Sequence, residues 1–276
     1  MRARRGFTLL TALWVLGTAG VLTASALAAG RNAAGATRNR VEWTRARWRA
    51  MGCARKAQSV IDSILSVRST ESANAWRTLS DAVGSSERLT GCAVVLTAAG
   101  ARLDVNSATA EMLERFFGAV GRGDARALSL DVVAMRERQR VPDVRALRRI
   151  ADDVDWAVWD SLLSVEPGRI ALSQAPVQVL QAIPGLTSEI ANALVAHRVS
   201  VGPVSDLNEV FGLVSKTSGR ELEERYQEAS RVATADPDAW LLRSTARSGN
   251  PAISATVEWR ITRQDSRVVV VRSVIR

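Results

Sequence analysis

Met1-Arg2-Ala3-Arg4-Arg5-Gly6, followed by the uncharged run Phe7-Thr8-Leu9-Leu10-Thr11-Ala12-Leu13-Trp14-Val15-Leu16 and on to Gly30, decides how the rest of the chain is read. The run is rich in Leu, Val and Ala. As a helix it is long enough to cross a hydrocarbon core of about 30 Å. Arginines before such a run favour a cytoplasmic amino terminus, although Arg31, Arg38 and Arg40 follow it closely. A secretory signal peptide would be cut behind a shorter apolar core, at Ala24-Ser25-Ala26 or Ala26-Leu27-Ala28, and a plain signal anchor would keep the whole run.

The remaining composition bounds the answer. In 276 residues, 47% are hydrophobic and 24% charged, which excludes a wholly disordered or collagen-like chain. Only Lys56 and Lys216 are lysines, so 35 of the 37 basic residues are arginine, and the formal net charge is +9. That charge permits an anionic partner without requiring one. A single histidine, His197, excludes a histidine-based metal cluster. Two cysteines, Cys53 and Cys92, exclude a four-thiolate zinc site and a disulfide-dense scaffold. No P-loop, nucleophile elbow, His-Glu zinc motif or dinucleotide fingerprint is present, so the sequence gives no sign of an enzyme.

Beyond the apolar run, Trp43, Ala46, Ala50, Cys53, Ala57, Ile61 and Ile64 recur at spacings of three and four, which predicts a helix from Val41 to about Arg68 with one apolar face. No proline precedes Pro142, so one helix can run from the membrane into this stalk, with Gly30 and Gly35 as soft points. The stretch Arg31 to Lys56 holds eight basic residues, one acid (Glu42), Trp43 and Trp48. It reads as a solvated or lipid-facing helix surface, with nucleic acid as the competing partner. Cys92 to Leu96 and Arg102 to Val105 read as strands around an Ala98-Ala99-Gly100 turn. Ala255 to Thr262 and Arg267 to Val274 read as a hairpin, and Trp240 to Ala246 adds a third strand.

Between these strands lies an internal repeat. Arg102 to Leu113, continuing to Phe116-Phe117-Gly118, aligns without gaps with Arg169 to Leu180, continuing to Ile183-Pro184-Gly185. Duplicated helical units of this kind stack to share a core. The second copy resembles a helix-hairpin-helix: Pro176 in the first helical turn with Ser173 or Gln174 near the cap, Leu180, Ile183 and Leu186 as the inner face, and Pro184-Gly185 as the turn. Gly118 is the matching turn of the first copy. Nucleic-acid-binding hairpins carry a second glycine after the turn and place backbone amides on a phosphate. Here Thr187 replaces that glycine and Glu189 follows, so a structural use is expected.

The leader junction, basic residues and Gly6 before Phe7, resembles that of type IV prepilins and pseudopilins. The resemblance implies cleavage between Gly6 and Phe7 by a prepilin peptidase, taking +9 to +6. Most members carry glutamate five residues into the mature chain, where this sequence has Thr11. Its loss marks the K-type minor pseudopilin of type II secretion, at the filament tip. The order of leader, helix, interrupted sheet and carboxy-terminal hairpin resembles that family across most of the chain. The implied fold is α+β, pilin-like: a transmembrane and stalk helix packed on an antiparallel sheet, with an inserted all-α subdomain of two helix-hairpin-helix or SAM-like repeats. The implied divisions are a leader (1–6), a transmembrane helix (7–29), stalk helix and first strands (30–105), the helical insert (106–233) and the closing strands (234–276). The implied location is the inner membrane, single pass, with the amino terminus cytoplasmic and the globular part periplasmic. The implied partners are I- and J-type minor pseudopilins, the major pseudopilin, the inner-membrane secretion platform and the prepilin peptidase. The competing reading is a membrane-anchored helix-hairpin-helix DNA-binding protein of competence-receptor type.

In the implied topology Cys53 and Cys92 are extracytoplasmic, where a disulfide persists. A bridge would set the stalk helix against the first strand, and two buried free thiols are the alternative. Some K-type pseudopilins bind calcium in the insert. Calcium takes six to eight oxygen ligands, and Asp152, Asp153 and Asp155, without a glycine turn between them, fall short of a loop site, so helix capping is expected and no cofactor is assigned. His197, on an apolar helix, reads as structural.

Overall fold

The computed structural model describes residues 4–67, 72–151, 154–265 and 267–275; on the first helix, side chains are described for residues 11–66. That helix, α1 (Arg4–Val67), is continuous for 64 residues, about 96 Å. It passes through Gly30 and Gly35 without a break, so the expected soft points stay helical. Within Thr11–Ser66 an 18-residue window has a mean hydropathy of 1.7, and none of it is buried by the rest of the chain.

The second half of α1 packs on a sheet. Ala46, Ala50, Ala54, Ala57, Ile61 and Leu65 are fully buried along it. Trp43, Cys53 and Ile64, expected on that face, are half-buried flanks instead. Four of the buried residues are alanines, so the helix backbone comes close to the sheet and the sheet supplies the bulk: Trp240, Leu242, Val257, Trp259 and Ile261. Two short helices, α2 (Ser72–Arg77) and α3 (Leu79–Gly84), close one end of this core. Trp76 meets Trp240 edge-on at 6.2 Å, and its Nε1 donates to the Pro237 carbonyl at 2.6 Å.

The sheet begins with β1 (Ala93–Ala98). Six further short strands and helices then form the first unit of the insert: β2 (Leu103–Asp104), α4 (Ala110–Ala119), α5 (Ala125–Arg138), a 3-10 segment Val144–Arg149, α6 (Trp156–Leu162) and β3 (Leu163–Ser164). The second unit repeats the plan: β4 (Ile170–Ala171), α7 (Val177–Leu180), α8 (Ser188–Ser200), a 3-10 segment Asn208–Leu213, α9 (Lys216–Glu224), α10 (Tyr226–Val232) and β5 (Ala233–Thr234). Each unit closes on itself by a short parallel pair, β2 with β3 and β4 with β5. The chain then returns as β6 (Trp240–Ser248), β7 (Ile253–Gln264) and β8 (Arg267–Ile275). The main sheet is antiparallel in the order β1-β6-β7-β8, and the carboxy-terminal hairpin lies where the alternation predicts it.

One expected strand belongs elsewhere. Arg102 to Val105 does not fold back beside β1. Leu103 pairs with Leu163, and both Leu103 and Asp104 are buried, Leu103 within the core of the insert. The chain turns away at Ala99–Ala101, where Gly100 passes so close to the Arg169 carbonyl that a Cβ would lie 1.8 Å from its oxygen. Alternation reveals a strand but not its partner.

The duplication extends to side chains. Arg136, late in α5, donates to the carbonyls of Val105 and Ala108; Arg198, late in α8, donates to those of Leu172 and Ala175 at 3.1 and 2.8 Å. These are corresponding carbonyls in the aligned repeat. At Thr109 and Pro176, which also correspond, the helix-capping backbone has the same conformation, φ −68° and ψ 163°. Pro176 is thus itself the cap, in place of the expected Ser173 or Gln174, and proline's fixed φ supplies the geometry that Thr109 reaches with a side-chain bond to the Met112 N–H. Asn106 bridges both backbone groups of Val141, at 3.1 and 2.9 Å. Its counterpart Ser173 is too short to do so, and its buried hydroxyl has no partner among the described residues.

This asymmetry predicts unequal mutants. Asn106→Ala strands the buried Val141 N–H and C=O and lowers stability by about 2–3 kcal/mol, whereas Ser173→Ala stays within about 0.5 kcal/mol of the parent; urea unfolding of each measures this. The insert is tied to the returning chain by Asp238, which accepts from the Arg169 backbone N–H at 3.0 Å and from its guanidinium at 2.7 Å. Burial pushes the Asp238 carboxyl up, but these bonds outweigh it and hold its pKa below the usual 3.8. A depressed carboxyl stabilises above its unfolded pKa and loses that contribution as the pH falls through the folded value. The stability gap between the parent and Asp238→Asn, about 0.5–1 kcal/mol at neutral pH for this partly exposed pair, therefore closes below about pH 4 in thermal melts.

Candidate assembly surfaces

Four features from the sequence reading bear on function: the amino-terminal junction, the stalk, the cysteine pair and the hairpin turns. Gly6 and Phe7 fall in the first turns of α1, where side chains lie outside the described residues, as do Met1–Ala3 altogether. Thr11 stands on an exposed part of the helix, in line with the uncovered side chains of Leu13, Trp14 and Leu16. The described residues of the rest of the chain leave this apolar surface uncovered.

The stalk from Arg31 to Arg40 is exposed all round. Further along, Arg45 pairs with Glu42 at 2.7 Å, Arg47 stacks over Trp43 at 5.7 Å, and Arg49 reaches the Arg247 carbonyl at 3.3 Å. The single acid, Glu42, also accepts from the Ser248 hydroxyl at 2.6 Å. The side chain of Trp48 remains exposed.

Cys53 and Cys92 are joined in a disulfide that clamps α1 to the residue before β1. Closing a loop of 39 residues in the unfolded chain, it stabilises by about 4 kcal/mol in the chain-entropy model.

The hairpin turn of the second unit is covered by the chain itself. Pro184 and Gly185 are buried. Gly185 has φ +80°, and a Cβ there would meet Arg225, the Glu221 carbonyl and Leu222, each at 3.2 Å, so α9 covers the turn. Thr187 caps α8 through its Oγ1, which accepts from the Ile190 N–H at 3.3 Å. Glu189, in the first turn of α8, accepts from the hydroxyl of Ser218 at 2.5 Å and from the Ser215 N–H at 3.2 Å. The Ser218 bond above all holds its carboxyl below the usual range, so it is ionised at neutral pH and repels a phosphate. From the first unit, Arg115 donates to the Gln181 and Leu186 carbonyls at 2.9 and 2.5 Å, and Arg225 joins Glu111 to Glu228. The turn thus glues the two units together. Sequence reasoning missed these arginines, because nothing in spacing marks a guanidinium that serves main-chain carbonyls.

Gly118 is a correction. It lies inside α4, and the positive φ of the first hairpin, +84°, is at Gly121. In the second copy Pro184 cannot continue a helix, and α7 stops after four residues. The first copy has Phe117 at that position, so α4 runs further and the turn moves downstream.

Asp155 caps α6, accepting from the Ala157 N–H at 2.9 Å, and Asp160 pairs with Arg145 at 3.3 Å. Asp152 and Asp153 lie outside the described residues. Among the described residues no group of three or more His, Cys, Asp or Glu is placed to hold a metal ion. His197 Nδ1 lies 3.0 Å from the Gly202 carbonyl, closing the end of α8.

No protein-family model matches the chain, and no curated protein does. Among solved structures it is similar to a chain of the crystal structure of the GspK-GspI-GspJ complex from the type 2 secretion system of enterotoxigenic Escherichia coli. The alignment covers 87% of this chain and 99% of that one, with a TM-score of 0.62 and 14% identity. The likeness is one of fold: a long apolar amino-terminal helix on an antiparallel sheet, pseudopilin-like, and consistent with a chain anchored by one span.

The two glycines separate the structural readings of the turns. Gly118→Ala, helical and with open space around it, raises stability by about 0.5–1 kcal/mol, whereas Gly185→Ala lowers it by about 2 kcal/mol or more; thermal melts of both check this.

Proposed function

We propose that this protein is a non-enzymatic minor pseudopilin of the K type, which joins I- and J-type subunits at the tip of a type II secretion pseudopilus and helps start or cap the filament. The observation that carries the reading is architectural: the fold likeness spans nearly the whole of a chain from a minor-pseudopilin complex. The uncovered apolar half of α1 supports it, since it suits a bundle of sibling helices. Phe7 to Ala29 would pack in membrane and bundle, the major pseudopilin and the inner-membrane platform would be the further partners, and the globular part would lie in the periplasm. Thr11 supports a terminal place in the filament. A buried carboxylate is costly unless a neighbour pairs with it, and a tip subunit has no neighbour to demand it. The insert, hung on the returning strands, would obstruct addition above. The DNA-binding alternative is disfavoured by the buried Pro184-Gly185 turn and by Glu189.

The mature amino terminus tests the reading. Co-expressed with a prepilin peptidase, the chain should yield a peptide beginning at Phe7 by mass spectrometry, and no such peptide without the enzyme. An intact Met1 in both samples would reject the pseudopilin class. A cut between Ala24 and Ala29 would remove the membrane helix and reject a filament role outright.

A further inference from the structure

The insert does not lie flush on the outer face of the sheet. Between them is a cleft of about 420 Å³, within the usual range of small-ligand sites. Its sheet wall carries Arg243, Glu258 and Arg272, and its insert wall carries Arg102, Asp143, Arg145, Asp160 and Glu166. Every carboxylate there is engaged: Glu258 by Arg243 at 2.9 Å, Asp160 by Arg145 at 3.3 Å, Glu166 by Arg272 and, at 3.8 Å, by Arg260, and Asp143 by the Arg145 N–H at 2.9 Å. Arg102 differs from the other arginines of the cleft. It is half-buried, and among the described residues its guanidinium makes no hydrogen bond or ion pair. Burial first, and then the nearby charge of Arg243, lower its pKa from the ordinary arginine value, while the neighbouring carboxylates of Glu258 and Asp160, each bound to another arginine, act to raise it; it stays a cation at neutral pH.

A half-desolvated guanidinium with five donors and no acceptor is an incomplete arrangement, and a carboxylate completes it with two parallel bonds. We propose that this cleft is a carboxylate-binding site in which Arg102 receives the ligand and the engaged pairs Arg145–Asp160 and Arg243–Glu258 form its walls. The bound carboxylate is either that of a small free acid or that of an aspartate or glutamate on another polypeptide. The proposal stands apart from the filament reading and holds or fails without it.

Isothermal titration of the full chain in neutral detergent tests it, with succinate as the free acid and hexaglutamate as the polypeptide source. Wild-type protein should bind one of them saturably. Arg102→Gln should weaken that binding at least tenfold. Arg102→Lys, which keeps the charge but loses the planar fork, should weaken it several-fold. Arg138→Gln, the same charge loss on exposed α5, should leave it unchanged. Tighter binding of hexaglutamate assigns the site to a protein partner, and tighter binding of succinate assigns it to a small acid. Superimposable isotherms for wild type and Arg102→Gln, or equal heats from sodium chloride at matched ionic strength, would overturn the proposal. Should Arg102→Gln fail to fold by circular dichroism, the lysine variant carries the comparison.

Discussion

The pairing of β1 with β6 is the constraint on which everything else rests. Ala98 faces Trp240 across that ladder, and the Ala99 N–H donates to the Ala239 carbonyl at 2.9 Å, with the entire insert between them in sequence. The bulky face on which the alanine side of α1 is buried is carried by β6 and β7, and the β1–β6 ladder joins the chain before the insert to it. The entropic cost of closing so long a connection grows slowly with its length, so a folded insert is tolerated where a floppy one would gain nothing. The crossing is stitched tightly: Gly100 lies against the Arg169 carbonyl, Asp238 holds Arg169, and Arg260 donates to the Pro167 carbonyl at 2.6 Å.

Arginine has several roles in this molecule. Part of the positive charge lies on the open stalk and is solvated. A second part serves the main chain: Arg115, Arg136 and Arg198 direct their donors at main-chain carbonyls around the hairpins. The guanidinium suits this use because its donors lie in one rigid plane and can satisfy two carbonyls of a turn at once. That both units employ the same carbonyls shows that the clamp belongs to the duplicated plan, whereas the Asn106 bridge survives in only one of them.

Much of the fold could be read from residues alone, and the unread part has a common cause. The apolar run, the three-four spacing of the stalk, the alternation of the last two strands and the gapless repeat are all local patterns, and local patterns report secondary structure. The destination of Leu103, the rotation of the stalk face toward Ala54 and Leu65, and the cover that α9 places over Pro184-Gly185 are decided by partners distant in sequence. Gly118 differs from the expected turn for a related reason: the aligned repeat matches two glycines, but the residue before each, Phe117 against Pro184, settles whether the helix continues. Of the functional features, the junction at Gly6 and Phe7 was legible as a motif, whereas the Arg102 cleft exists only because two separately folded walls meet.

The unbroken α1 has a mechanical consequence. A helix without kink or proline is stiff along its axis, so a displacement of its apolar end is delivered to the sheet with little loss. The last stretch of the helix lies along the strands, which means that an axial pull loads the interface in shear and engages the whole row from Ala46 to Leu65 together, instead of peeling it residue by residue. The Cys53–Cys92 bond sits within that loaded stretch and ties the rod to the sheet covalently. The packed stretch of α1 and the sheet are thus held together both by the buried row and by a covalent bond.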